Sequence, residues 1–307
     1  MRIALSTRWN AGRHTTGEKL VEEILQCGFT RLELGYDLTI DLVPGVRDMV
    51  RTRAITVDSV HNFCPVPVGA PGGSPELFSM ASTDARTRAS AVLHTTRTIQ
   101  FAGEIGARLV VVHCGRVEMR HLTQKLIALA NKGKMFNPRY QRILLKLLTR
   151  RAKKAQKHLD LLYESIQELL PSLDEHRVSL GFENCPDWES LPSESETVDM
   201  LRHFNTSRLR AWYDTGHGQI RENLGIIRQS AWLDKLDALI GGMHVHDVAP
   251  PANDHLMPRK GAVDFSLFKK CAASDIPLVL EPYPGTPAAD VREGAQELVR
   301  VWGLSSE

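Results

Sequence analysis

Eight short apolar runs punctuate the chain: Arg2–Leu5, Arg31–Leu34, Ile55–His61, Arg108–His113, Arg177–Glu183, Leu209–Asp214, Ile240–His246 and Pro277–Glu281. Several, such as RLVVVH and PLVLE, are continuously apolar, as strands covered on both faces must be. Helical periodicity fills the intervals. Over 84–106, Ala85, Ala89, Val92, Thr96, Ile99 and Ala102 follow the three-four spacing of one buried face, with Asp84 placed to cap the helix. Over 138–170, Leu144, Leu148, Ala152, Ala155, Leu159 and Leu162 form a second stripe. Strand and helix alternating eight times predicts an α/β fold, a (β/α)8 TIM barrel. No linker or repeat divides the chain, so the expectation is a single domain over residues 1–307.

Two long loops interrupt the alternation, 62–82 and 114–137, and both follow a strand. In a barrel of this kind the loops after strands surround the active site. The second loop leads into a basic segment. Between Glu118 and Asp160 there is no acidic residue, while Arg120, Lys125, Lys132, Lys134, Arg139, Arg142, Lys146, Arg150, Arg151, Lys153, Lys154 and Lys157 all fall there. The expectation is an extended basic helical insertion after strand 4, over 116–158, forming a lid or shoulder at the barrel mouth. Its stripe from Leu144 to Leu162 would dock on the barrel. Arg142, Lys146, Arg150, Lys153 and Lys157 would face outward, toward an anionic ligand, plain solvent or a second copy in a homo-oligomer.

Composition removes other classes. With 42% hydrophobic and 24% charged residues and a net charge of +2, the chain has the balance of a soluble globular protein. No window is apolar enough to span a membrane, and the N-terminus turns polar after five residues, so neither a membrane partner nor a secretory signal is expected. Cys27, Cys64, Cys114, Cys185 and Cys271 are odd in number and far apart, which argues against a disulfide framework and for a reducing, cytoplasmic compartment.

The chemistry collects where the runs end. The third ends in His61, the fourth in His113, the fifth in Glu183 and the sixth in Asp214, with His217 three residues on. The seventh ends in His244-Val245-His246-Asp247 and the eighth in Glu281. Carboxylates crowded at one end of a barrel repel one another unless a cation or proton lies between them. Mixed carboxylate and imidazole donors suit Mn, Zn, Fe or Co better than an all-oxygen site would.

GFENCP, YDTGH, HVHD followed by DHLMP, and LEPY resemble the metal-binding strand ends of the xylose isomerase-like barrel superfamily. More narrowly they resemble the sugar phosphate isomerase/epimerase family, with the endonuclease IV family as a distant relative. The resemblance runs from the first strand to the eighth. It implies a divalent metal (Mn, Zn, Co or Mg) held by Glu183, Asp214, His244 or His246, and Glu281. It also implies substrate contacts from Glu189, which follows Trp188 six residues after Glu183, and from His217. His61 and His113 match histidines that the endonucleases use for further zinc ions. The chain also departs from its relatives. The endonuclease Asp-x-His reads Asn253-Asp254-His255 here, and the position of an arginine found in some ketose epimerases is Ala252. Arg259, beside His255 in the same loop, could compensate.

These features imply an isomerase or epimerase acting on a sugar, sugar phosphate or related polyol or keto acid. The metal would polarise oxygen, and Glu183 and Glu281 would act as acid and base through an enediolate. A dehydratase or lyase would share that intermediate. The alternative is a phosphoester hydrolase acting on nucleic acid, to which the basic block would be suited, although only Phe136 and Tyr140 there could stack on bases. A non-catalytic binding barrel is the third reading.

Overall fold

Apolar strands that need cover on both faces close here on themselves. The computed structural model describes residues 2–304. The strands are β1 (Ala4–Ser6), β2 (Arg31–Leu34), β3 (Thr56–His61), β4 (Leu109–Val112), β5 (Ser179–Glu183), β6 (Leu209–Asp214), β7 (Ile240–Val245), β8 (Asp247–Ala249), β9 (Asn253–Leu256) and β10 (Leu278–Leu280). The helices are α1 (Gly17–Gln26), α2 (Val43–Arg51), α3 (Ala85–Glu104), α4 (Thr123–Ala130), α5 (Pro138–His176), α6 (Glu194–Phe204), α7 (Thr215–Asn223), α8 (Gln229–Leu236), α9 (Lys269–Ala273) and α10 (Ala288–Trp302). A closed barrel runs β1-β10-β7-β6-β5-β4-β3-β2, and β8 and β9 form a separate two-stranded sheet. All eight expected strands are present, parallel throughout the barrel. The chain is thus a single-domain TIM barrel with a long helix after its fourth strand. No helix among the described residues is long and apolar enough to cross a membrane.

Boundaries differ where a local device overrides the apolar run. Arg177, expected to open the fifth strand, instead ends α5 in the left-handed conformation with φ 56°. The β8–β9 hairpin was not foreseen, because its two strands are too short to show alternation.

Both helical stripes face inward: Ile99, Ala102, Ala155 and Leu162 are buried as expected, and polar residues share those faces. On α3, Ala91, Thr95, Thr98, Ile99 and Ala102 are buried, whereas Ala85 and Ala89 are exposed. Thr95 accepts a hydrogen bond from the Asn62 amide at 2.9 Å and Thr98 from the Cys64 N–H at 3.2 Å, which satisfies the loop after β3. Asp84 caps the helix as expected. On α5 the buried stripe is Leu147, Arg151, Ala155, His158, Leu162, Ser165, Ile166, Leu169 and Leu173. Leu144, Leu148 and Leu159 are half-buried and Ala152 is exposed. Arg151 belongs to the interior, where its fork binds both Glu196 oxygens at 2.7 Å and the Trp188 and Ser190 carbonyls. His158 donates to the Ala81 carbonyl and Ser165 to that of Met80.

The segment 116–158 makes a shoulder. Leu122, Leu126, Tyr140 and Leu147 form an apolar cluster with Ile220 of α7, Leu224 just after it and Val248 of β8. Arg142, Lys146, Arg150, Lys153 and Lys157 face outward and are exposed.

Two charged contacts fix elements around the barrel mouth. Arg221 on α7 is wholly buried, donates to Glu194 at the start of α6 at 2.8 Å and stacks on Trp188. Removing one partner of such a pair leaves an uncompensated buried charge. Glu194→Ala should therefore cost about 3–5 kcal/mol in urea unfolding; a loss under about 1 kcal/mol, the range of an exposed pair, would contradict this role. The loop after β1 is tied to α1 by Glu23, which accepts from Arg13, His14 and Asn10. Burial opposes ionisation of Glu23, but those donors hold its pKa down at about 2. An unfolded glutamate titrates near about 4.3. The stabilisation is thus complete above that pH and is lost as pH falls toward 2. Melting temperatures of Glu23→Gln and the wild type should differ at pH 6 and draw together as pH drops from 5 toward 2. A pH-independent gap would contradict the assignment.

Candidate active site

Trp212 fills the barrel centre beneath the site, within a cluster with Ala4, Leu109, Val111 and Val279. It fits because Gly242 faces it: a Cβ there would lie 2.1 Å from the indole ring. Above this floor the strand ends converge. Glu33 comes from β2, His61 from β3, His113 follows β4, and Glu183 and Asp214 end β5 and β6. His217 lies in the first turn of α7, His244 on β7, His246 just after it, His255 on β9, and Glu281 just after β10. Gly216 lets α7 begin against the His246 ring, where a Cβ would stand 2.0 Å from the imidazole.

The centre of the cluster is the His244 Nδ1. It lies 3.1 Å from Glu183 Oε1, 3.6 Å from Glu281 Oε2 and 3.9 Å from Asp214 Oδ2. One nitrogen thus ties together three carboxylates from separate strands. The His246 Nε2 is 3.0 Å from Asp214 Oδ1. The second oxygen of Glu183 faces the Nε2 atoms of His61 and His113 at 3.2 and 3.1 Å. His217 donates from Nδ1 to the Asn184 carbonyl and lies 3.3 Å from Glu183 Oε1. His255 stacks on His246 with centroids 4.1 Å apart and donates from Nδ1 to the Glu281 carbonyl. Arg8, in the loop after β1, donates to Glu281 Oε1 at 2.8 Å.

Glu33, Glu183, Asp214 and Glu281 are all at least 98% buried. Burial disfavours their charge, yet His244 and His113 hold Glu183 well below the usual carboxylate range, and His244 and Arg8 do the same for Glu281. Burial, with His246 adding to it, lowers His255 to about 4, so its imidazole is neutral at neutral pH.

The donor set fits a divalent cation. Ligand atoms of Glu183, Asp214 and His244 lie within 4.8 Å of one another, as do those of Asp214, His246 and Glu281. A neutral imidazole carries one proton, but His244 faces carboxylate oxygens at both nitrogens. The second contact needs a further proton or a cation. His61 repeats the pattern: its Nδ1 donates to the Asn62 carbonyl, so its Nε2 meets Glu183 with a lone pair unless a proton or cation intervenes.

The structure thus brings together Glu183, Asp214, His244, His246, Glu281, His61, His113, His217 and His255. It places two expected residues elsewhere. Glu189 is buried and accepts from the Leu122 and Thr123 N–H groups and the Thr123 hydroxyl, capping α4 where helix N–H groups lack partners. Arg259 is exposed, in the left-handed region with φ 79°. Asp247, which closes the HVHD motif, accepts from the N–H groups of Val248, Gly261 and Val263 and organises that loop. Sequence reasoning missed Glu33 and Arg8. Glu33 carried a signal, a carboxylate between Leu32 and Leu34 in a strand covered on both faces. Arg8 carried none.

Comparison with known proteins agrees with this architecture. Residues 21–301 match the family model described as xylose isomerase-like TIM barrel. Among solved structures, a D-tagatose 3-epimerase-like protein superposes with TM-score 0.71 at 17% identity, covering 99% of this chain and 98% of that one. A 3-keto-D-glucoside 4-epimerase from E. coli gives 0.70 at 15% identity, with 98% and 99% covered. An L-ribulose 3-epimerase gives 0.71 at 13%, with 98% and 94% covered. At these identities the likeness is one of fold. An uncharacterized protein of Methanocaldococcus jannaschii is 25% identical over 115 residues, which span 38% of this chain and less than half, 43%, of that protein. With the family model matched over most of its length, the chain belongs to the xylose isomerase-like TIM-barrel family.

Proposed function

We propose that this protein is a metal-dependent isomerase or epimerase acting on a sugar, sugar phosphate or related polyol or keto acid, with proton transfer at the carbon beside a carbonyl. The observation that carries the reading is the convergence of Glu183 and Glu281 on one point, the His244 Nδ1, from β5 and from the end of β10. Glu183, Asp214, His244 and Glu281 would hold the cation, with His246 on Asp214. When bound, it would polarise the substrate oxygens and lower the cost of removing the neighbouring proton. The two glutamates would take and return that proton. His217 and His255 each donate from Nδ1 to a main-chain carbonyl, which leaves Nε2 as an acceptor for substrate hydroxyls. The fold neighbours named as sugar epimerases support the class. The five buried free thiols suit a reducing, cytoplasmic setting.

The test is solvent exchange. A panel of ketoses, ketose phosphates and sugar acids in deuterium oxide should reveal a substrate whose carbon-bound proton exchanges. Glu183→Gln and Glu281→Gln should each slow that exchange by at least about 10²–10⁴-fold. Exchange at the wild-type rate in both variants would contradict the two-carboxylate mechanism.

One observation favours a second reading, a metal-dependent phosphodiesterase. His61, His113 and Glu183 form a further compact donor group, as do His217, His246 and His255. Cleavage of a nucleic-acid phosphodiester, without exchange on any sugar, would establish it.

In the first reading the exposed face of α5 draws in an anionic substrate through Arg142, Lys146, Arg150, Lys153 and Lys157. Such attraction fades beyond a Debye length of about 8 Å at physiological salt. Charge reversal at Lys146, Arg150 and Lys153 should lower kcat/KM at low salt and flatten its salt dependence, with kcat nearly unchanged. An unchanged salt slope would leave a solvated face or a contact with a second copy of the chain.

A further inference from the structure

Glu33 lies on β2 with no solvent exposure, and a carboxylate in a dry barrel needs donors. It has three. The Ser6 hydroxyl of β1 donates to Oε1 at 3.2 Å and the Ser59 hydroxyl of β3 to Oε2 at 2.8 Å. The third comes from across the barrel: the His244 Nε2 on β7 lies 3.0 Å from both oxygens. Since a carboxylate only accepts, the His244 Nε2 carries the proton. Nδ1 faces Glu183, Asp214 and Glu281, so that corner holds either a second proton or, on a neutral ring, a lone pair turned to a cation among the three carboxylates.

His246 has the opposite arrangement. Its Nδ1 accepts the main-chain N–H of His255 at 2.9 Å, so its proton resides on Nε2 and points at Asp214. Of the two inward-facing histidines in HVHD, His244 is the one whose neutral ring would turn its lone pair toward the carboxylate cluster.

We propose that Glu33 is the positioning residue of the metal site, fixing the tautomer and ring angle of His244 so that Nδ1 binds the cation while His246 serves as a hydrogen-bond donor to Asp214. The inference rests on the metal-dependent reading above. A carboxylate behind a ligating imidazole raises its basicity and typically contributes 10–100-fold in metal affinity. The two serines hold Glu33 in turn, so the chain Ser6/Ser59–Glu33–His244 links three strands to the site.

The experiment is titration of metal-free protein with Co2+, followed by calorimetry and by visible absorption, which reports ligand geometry. Glu33→Gln should weaken Co2+ binding about 10–100-fold and shift the absorption bands at saturation. Glu33→Asp, which keeps the charge but withdraws it from the ring, should lie between Glu33→Gln and wild type. If Glu33→Gln fails to fold, the Ser6→Ala/Ser59→Ala pair carries the test, with a several-fold loss and the same direction of spectral shift expected. A purely structural role would lower the melting temperature and leave affinity and spectrum of the folded protein unchanged, and that result would overturn the proposal. Absence of Co2+ binding by the wild type would instead overturn the metal-dependent reading itself.

Discussion

Buried negative charge at the barrel mouth is the constraint on which the site depends. Glu33, Glu183, Asp214 and Glu281 are buried around His244, and the arginine among their contacts is Arg8, on Glu281. Charge taken out of water must be matched within the protein or by something bound to it. The histidines supply part of the match, which is why Glu183 and Glu281 keep low pKa values despite burial. An imidazole held between two carboxylates has one proton of its own, and the arrangement is completed by further protons or by a cation.

The rest of the fold can be understood from this requirement. Eight parallel strands bring donors from separate parts of the chain to one end, and Trp212 closes the barrel below them so that the cluster stays dry. The β8–β9 hairpin folds His255 back onto His246 and is secured by Asp247. The shoulder of α4 and α5 is anchored by buried polar contacts, Glu189 on α4 and Arg151 on Glu196.

The barrel was legible in the sequence because its strands are covered on both faces and so read as unbroken apolar runs. Most of the mouth was legible for a related reason: a polar side chain ending an apolar run faces the place where loops and site meet. Glu33 escaped because it lies inside a run rather than at its end. Glu189 and Arg259 were suggested by the resemblance to known barrels, which does not report where a side chain of this chain points. A helix N-terminus claimed the first, and the second lies exposed on its loop. The helical stripes were right in part: Ile99, Ala102, Ala155 and Leu162 are buried as expected, but Thr95, Thr98, Arg151, His158 and Ser165 share the inward faces, each satisfied by a main-chain, side-chain amide or carboxylate partner that only tertiary structure supplies.

The most direct measurement of the central claim is the number of divalent ions held per chain. Protein stripped with a chelator, dialysed against Mn2+ or Co2+ and analysed for elemental metal should retain one tightly bound ion, and Asp214→Asn should retain none. Retention of no ion by the wild type would mean that protons alone balance the buried carboxylates and would contradict the account. Retention of three would shift it to the phosphodiesterase reading.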